Sequence, residues 1–187
     1  MRVLIGCEYS AIVREAFKRR GHDAWSCDLL PSEQPGNHIQ GSVLDVLGHG
    51  WDLGIFHPPC TYLCNSGVRW LAGNPVRWAE MEEGAAFFRA LLESDIPKLA
   101  VENPIPHKYA LERIGGKYDQ IIQPWQFGHG ETKATCLWLK NLPKLTPTNI
   151  VSGRLHRIHE LPPSADRWKE RSRTYRGIAK AMAEQWT

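Results

Sequence analysis

The chain has 187 residues, 42% of them hydrophobic, which suits one core and is short of what two full-sized domains need. No run approaches the ~18 apolar residues of a membrane span, which argues against a membrane protein, and the N-terminus lacks the apolar stretch and small-residue cleavage site of a signal peptide. The formal charge of +3 has unlike parts: residues 1–139 hold 13 Lys+Arg against 16 Asp+Glu, and residues 140–187 hold 10 against 4, so the C-terminal quarter suits either a polyanion, with nucleic acid first, or a solvated tail.

Residues 2–6 read as a first strand, ended by glycine. Residues 10–21 read as a helix, with Ile12, Val13, Ala16 and Phe17 as its apolar stripe, Ser10 as its N-cap and Gly21 closing it. Residues 22–30 read as a second strand ending near Asp28. Strand, helix and strand within 30 residues open a doubly wound sheet. Residues 31–41 read as loop and 42–47 as a helical turn. A strand at 51–57 is halted by Pro58 and Pro59, which lack an N–H and fix φ. Residues 61–78 read as loop. The helix at 77–94 is the clearest, with Met81, Ala85, Phe88 and Leu92 at 3–4 spacing. Then follow a strand at 98–103, a short helix at 107–115, strands at 118–128 and 134–141, a proline-rich loop at 143–168 and a terminal helix at 173–186.

This order predicts an α/β fold, Rossmann-like and doubly wound, with a mostly parallel sheet and helices on both faces. It predicts one domain over 1–187. In such folds the C-terminal strand ends line one crevice. Three ends carry notable residues here: Gly6-Cys7-Glu8, Pro58-Pro59-Cys60 and Glu102-Asn103-Pro104. The convergence marks Cys60 as a candidate nucleophile. Five cysteines, an odd and scattered set, argue against a disulfide framework and for a reducing, cytoplasmic setting. Cys60 and Cys64 lack a second pair at metal-binding spacing, so no metal site is expected. Cys64 reads as a loop or packing residue. Trp70, Trp78, Trp125, Trp138, Trp168 and Trp186 lie in segments apolar enough to bury them.

The chain resembles the cytosine-C5 DNA methyltransferases, in a short form. Phe56-His57-Pro58-Pro59-Cys60 resembles that family's proline–cysteine loop, and Val101-Glu102-Asn103-Pro104 its glutamate–asparagine motif. Residues 3–29 stand where its first cofactor-binding strand, loop, helix and strand stand, and residues 174–186 resemble its closing helix. The resemblance implies S-adenosylmethionine as donor, DNA as partner and Cys60, Glu102, Asn103 and Lys133 as catalytic residues. It implies Gly6, Cys7, Glu8, Tyr9, Ser10, Asp28, Leu29, Ser42 and Pro58 around the cofactor, and Pro59, Tyr62, Glu131, Arg154 and Arg157 around the substrate. The residue types fit the chemistry. A thiolate adding to C6 makes C5 nucleophilic, and an acid at N3 takes up the charge pushed into the ring. A duplex cytosine must first be flipped out.

The chain also departs from the family. Its glycine loop holds one glycine followed by larger residues. Glu131-Thr132-Lys133 replaces a Gln-x-Arg motif, and Lys is a point charge where Arg is a planar fork. Residues 143–168 stand where the family carries a large target-recognition domain. Short recognition is expected, with room for a second subunit or a helper protein. A non-catalytic nucleic-acid-binding relative, a pyrimidine-C5 enzyme on RNA or free nucleotide, and a different donor remain open at this level.

Overall fold

The computed structural model describes residues 1–187. Seven strands form one sheet: β1 Arg2–Gly6, β2 Asp23–Asp28, β3 His38–Gln40, β4 Leu53–Phe56, β5 Lys98–Pro104, β6 Gln120–Ile122 and β7 Thr135–Lys140. Their order is β3-β2-β1-β4-β5-β7-β6. The pairs among β3, β2, β1, β4 and β5 are parallel, while β7 runs antiparallel to both its neighbours. The helices are α1 Ile12–Lys18, α2 Pro75–Leu92, α3 Lys108–Ile114, α4 Arg157–Glu160, α5 Arg167–Ser172 and α6 Arg176–Gln185.

The inner strands are apolar on both faces, as parallel strands covered on both sides must be. Alternation along β1 divides them. Leu4 faces α2 and α3 in a cluster with Phe56, Val101, Met81, Phe88 and Ala110. Val3 and Ile5 face α1 and α6 in a second cluster with Ile55, Phe17, Ile178, Met182 and Trp186. The α/β, doubly wound arrangement with helices on both faces is the one the element order predicts.

Several details differ from the sequence reading. The loop at 31–41 contains β3, a three-residue edge strand too short to show a period. Helix α2 begins at Pro75, because the Asn74 side chain accepts the Arg77 N–H at 3.0 Å. Residues 143–168 include α4 and the start of α5. Ser10 does not cap α1 in the simple sense. Ala11 holds the N-cap position with φ +60, and the Glu8 carboxylate takes the Val13 and Arg14 N–H groups at 2.7 and 3.2 Å. Trp138 and Trp186 are buried, as is Trp51. Trp70 and Trp168 are exposed, at 57% and 50%.

Arg14 is fully buried. Its guanidinium donates to the carbonyls of Gln34, Pro35 and Asn37 and to the hydroxyls of Ser26 and Ser32, at 2.9 to 3.3 Å. One side chain therefore supplies the donors for a loop that has few of its own. Replacing it by Met would leave the buried Ser26 hydroxyl and the part-buried loop carbonyls without that donor, and each buried group left unpaired costs roughly 1–3 kcal/mol. Arg14→Met is expected to lower unfolding free energy by about 3 kcal/mol or more in urea titrations, while Lys18→Met, on the exposed side of α1, shifts it by less than ~0.5 kcal/mol.

Candidate active site

Strand register assembles the site. Gly6 pairs with Phe56, and Phe56 with Val101. The next residues, Cys7, His57 and Glu102, stand side by side where β1 and β4 end, while β5 runs on beside β7 to Pro104. Pro58 and Pro59 then end β4 and carry Cys60 onto a tight turn, where the Cys60 carbonyl accepts the Leu63 and Cys64 N–H groups at 3.1 and 3.0 Å. A cavity of about 470 Å³ opens over these ends. One side carries Pro58, Pro59, Cys60, Cys64, Glu102 and Lys133, and the other Cys7, Glu8, Tyr9, Ser10, Asp28 and Leu30. Trp168, Arg171, Ser172 and Thr174 close it from the C-terminal segment.

Charges in this cavity are paired. His57 Nδ1 lies 3.5 Å from Glu102 Oε1, with side chains 7% and 20% exposed. Neither ring nitrogen of His57 finds a well-aligned hydrogen-bond partner. Burial works against a charged imidazole, but Glu102, and Glu8 behind it, outweigh burial and hold His57 above its ordinary value. Burial likewise opposes an ionised Glu102, and His57 with Lys133 reverses that and holds the carboxyl below its usual range. The two shifts run in the directions of an ion pair between His57 and Glu102. Glu8 is raised by burial in spite of the two N–H groups it caps. Lys133 Nζ donates to the carbonyls of Arg171 and Arg173 at 2.7 and 3.3 Å, tying the cavity roof to the loop before β7.

Cys60 is pushed above the usual thiol range by the neighbouring Cys64, by burial and by Glu102. Cys64 is lowered to about 5, by Cys60 first and then by Ser66, the Gly67 N–H and Arg171. Cys64 is a loop residue, as expected, and it also lines the cavity.

Among solved structures, the chain is similar to a protein assigned as a DNA modification methyltransferase encoded within an E. coli prophage, with 14% identity, TM-score 0.51, and coverage of 81% of this chain and 52% of that one. It is similar in the same degree to the Entamoeba histolytica methyltransferase EhMeth, with 13% identity, TM-score 0.51, and coverage of 81% and 57%. The fold is that of the class I methyltransferases. The chain spans little more than half the length of these two structures. No protein-family model matches the chain, and no curated protein matches it significantly by sequence.

On this methyltransferase-like fold, Cys7 stands at φ +58 and Ala11 at φ +60, both in the left-handed region. The loop after β1 thus takes backbone conformations that favour glycine, using larger residues. Asp28, at the end of β2, lines the cavity and accepts the Leu30 N–H at 2.9 Å through one oxygen.

The structure does not bring the remaining candidates to the cavity. Gly6 is a packing glycine, since a Cβ there would meet Phe56 and Val43 at 2.5 and 2.6 Å. Leu29 points to solvent at 73% exposure, and Ser42 caps the turn Val43–Val46. Tyr62 donates its hydroxyl to Glu80 and stacks under Arg77. Asn103 is fully buried and donates to the Pro104 carbonyl. Glu131 is held by Arg157 at 3.0 Å and by the Tyr175 hydroxyl at 2.7 Å. Arg154 stacks on Trp125 at 3.9 Å. Local spacing could not show the partners of Gly6, Tyr62, Glu131 and Arg154, which lie 15 or more residues away along the chain. For the same reason it did not show Trp168, Ser172 and Thr174 closing the site.

The signs of the two shifts define a pH test. A raised His57 contributes stability below its ordinary value of 6.5 and loses it as pH rises through the folded value. A lowered Glu102 contributes stability above 4.5 and loses it as pH falls through the folded value. The stability difference between wild type and Glu102→Gln is therefore expected to be largest between pH 4.5 and 6.5 and to shrink on either side. Urea titrations from pH 3 to 9 measure it, and NMR should place the His57 titration above 6.5 in wild type and below it in the variant.

Proposed function

We propose that this chain transfers a methyl group from S-adenosylmethionine to C5 of cytosine in DNA, through a covalent bond between Cys60 and C6. The observation that carries the reading is the cavity shared by Cys60 and Glu102, which reach it from adjacent strands, beside the loop after β1. A cysteine, a carboxylate and a cation in one half-closed pocket are what addition to a pyrimidine needs.

The donor fits the other half. The cavity volume lies in the range of small-molecule sites. Asp28 offers a free carboxylate oxygen where ribose hydroxyls would sit, and Tyr9, Leu30 and Trp168 offer apolar walls, the two rings 5.9 Å apart. Cys7, Glu8 and Ser10 shape the loop between them. When bound, the donor supplies an electrophilic methyl group. The chain's own groups do the rest. Cys60 adds to C6, the His57–Glu102 pair delivers a proton to N3, and Lys133 offsets the negative charge around Cys60 and Glu102. A base, such as a water molecule in the cavity, then takes the C5 proton; the C–H electron pair restores the C5–C6 double bond and the carbon–sulfur pair returns to Cys60.

The segment 143–168 carries one short helix, and its arginines Arg154 and Arg157 already have partners within the chain. This favours a target read over few bases, and it leaves RNA or a free nucleotide as the second reading. Tritiated S-adenosylmethionine offered with duplex DNA, single-stranded DNA, RNA and dCTP in separate reactions tests both. Label is expected in duplex DNA, reduced about a thousandfold or more in Cys60→Ser and about 10²–10⁴-fold in Glu102→Gln. Label in dCTP or RNA alone selects the second reading. Transfer that survives Cys60→Ser contradicts both.

A further inference from the structure

A second cavity, of about 580 Å³, runs between α1, α6 and the loop before β3. Five cations line it: Arg19 and Arg20 from the end of α1, Arg173 from the segment after α5, and Arg176 and Lys180 from α6. Three carboxylates also line it, and each already has a partner. Glu33 holds Arg173 through two bonds of 2.6 Å, Glu15 lies 3.2 Å from the buried Arg14, and Glu184 lies 3.9 Å from Lys180. Arg19, Arg20 and Arg176 are exposed and belong to no ion pair.

Arg176 stands where its charge does not serve the fold. It is the first residue of the ten-residue helix α6, and a cation at the positive end of a helix is unfavourable to that helix. No acid stands in the first turn, and the N-cap residue Tyr175 makes no capping bond through its side chain. The His129 ring takes the Gly177 N–H at 3.0 Å and brings no negative charge. Lys180 follows one turn later on the same face. The groove thus presents three unpaired guanidinium groups and a helix start of the same sign.

The groove adjoins the candidate active site. Ser10 lines both cavities. The segment 171–176 divides them: Arg171, Ser172 and Thr174 line the active site, whereas Arg173 and Arg176 line the groove. A strand that places one base in the active site must carry its phosphates past this divider.

We propose that the groove holds the phosphodiester backbone of the DNA whose cytosine enters the active site, on Arg19, Arg20 and Arg176. This rests on the reading of DNA as substrate given above. Arg154 and Arg157, the arginines of the segment 143–168, are engaged within the chain, so the backbone contacts fall to other residues. Contacts to phosphate fix a strand in place without reading its sequence, which suits a target read over few bases.

Fluorescence anisotropy with a labelled duplex reads the groove without any methyl transfer. The combined variant Arg19→Gln, Arg20→Gln and Arg176→Gln is expected to bind about 10²-fold more weakly near physiological salt, and to lower the slope of log K against log salt by about 2–3. The equally discharged control Lys18→Gln, Lys117→Gln and Lys144→Gln, exposed and outside both cavities, should lose less than about threefold. In the wild-type chain, duplex should protect Arg19, Arg20 and Arg176 from phenylglyoxal, read by peptide mass spectrometry. An arginine variant that binds like the control, or arginines modified equally with and without duplex, overturns the proposal. Protection by dCTP as complete as that by duplex also overturns it and marks a free-nucleotide site. Duplex transfer at unchanged KM in the arginine variant would overturn the groove and leave the methyltransferase reading standing. Binding and protection as expected, with no transfer in wild type, would refute that reading and leave the groove standing.

Discussion

The parallel register of β1, β4 and β5 is the constraint from which the site follows. Because Gly6, Phe56 and Val101 share one row, the residues after them must emerge together. That row sets His57 against Glu102 at 3.5 Å. Two opposite charges in a covered site are tolerated only when each neutralises the other. A shift of β5 by one residue would turn Glu102 to the opposite face of the sheet and leave His57 beside Glu8 alone. The prolines add the second half of the constraint. They forbid β4 to continue and so deliver Cys60 to the rim of the cavity.

The C-terminal segment is a working part of this arrangement. Its basic residues are largely engaged inside the chain. Arg173 forms a two-pronged ion pair with Glu33 at 2.6 Å, Arg157 pairs with Glu131, Arg154 lies on Trp125 and Lys169 pairs with Asp166. The Tyr9 hydroxyl reaches the Lys169 carbonyl at 3.1 Å and Ser172 at 3.2 Å, and Trp168 packs on the Tyr9 ring. The basic residues of the C-terminal quarter are thus engaged in good part within the chain, and Arg173, with the Tyr9 contacts, straps residues 167–174 over the cavity. Arg171 and Arg176 remain exposed and belong to no ion pair.

The fold was legible because each inner strand is apolar, each helix follows at short range, and glycine or proline marks the ends. What spacing could not show was set by distant partners. β3 depends on β2 and on the Arg14 hydrogen bonds, neither visible in residues 31–41 themselves. The helix Ser10 was expected to cap is capped by Glu8, two residues earlier, because the loop doubles back with left-handed residues at positions 7 and 11. Within the site, the strand-end residues Cys60 and Glu102 were readable, since the topology alone sends them to one edge, while Asp28 was read through the family resemblance. Lys133 was readable only through the family resemblance. Asn103 turns into the core and Leu29 into solvent, because side chains alternate along a strand and its extension. Cys64 and His57 gained their character from neighbours that only the folded chain supplies.

The central claim is that Cys60 bonds to the carbon next to the methylated one. A duplex carrying 5-fluorocytosine tests it most directly, because fluorine at C5 cannot leave as a proton does and the adduct is held. Incubation with S-adenosylmethionine, followed by digestion and peptide mass spectrometry, should return the DNA on the peptide containing Cys60. No adduct in a preparation that methylates normal duplex, or an adduct on any other residue, would contradict the account.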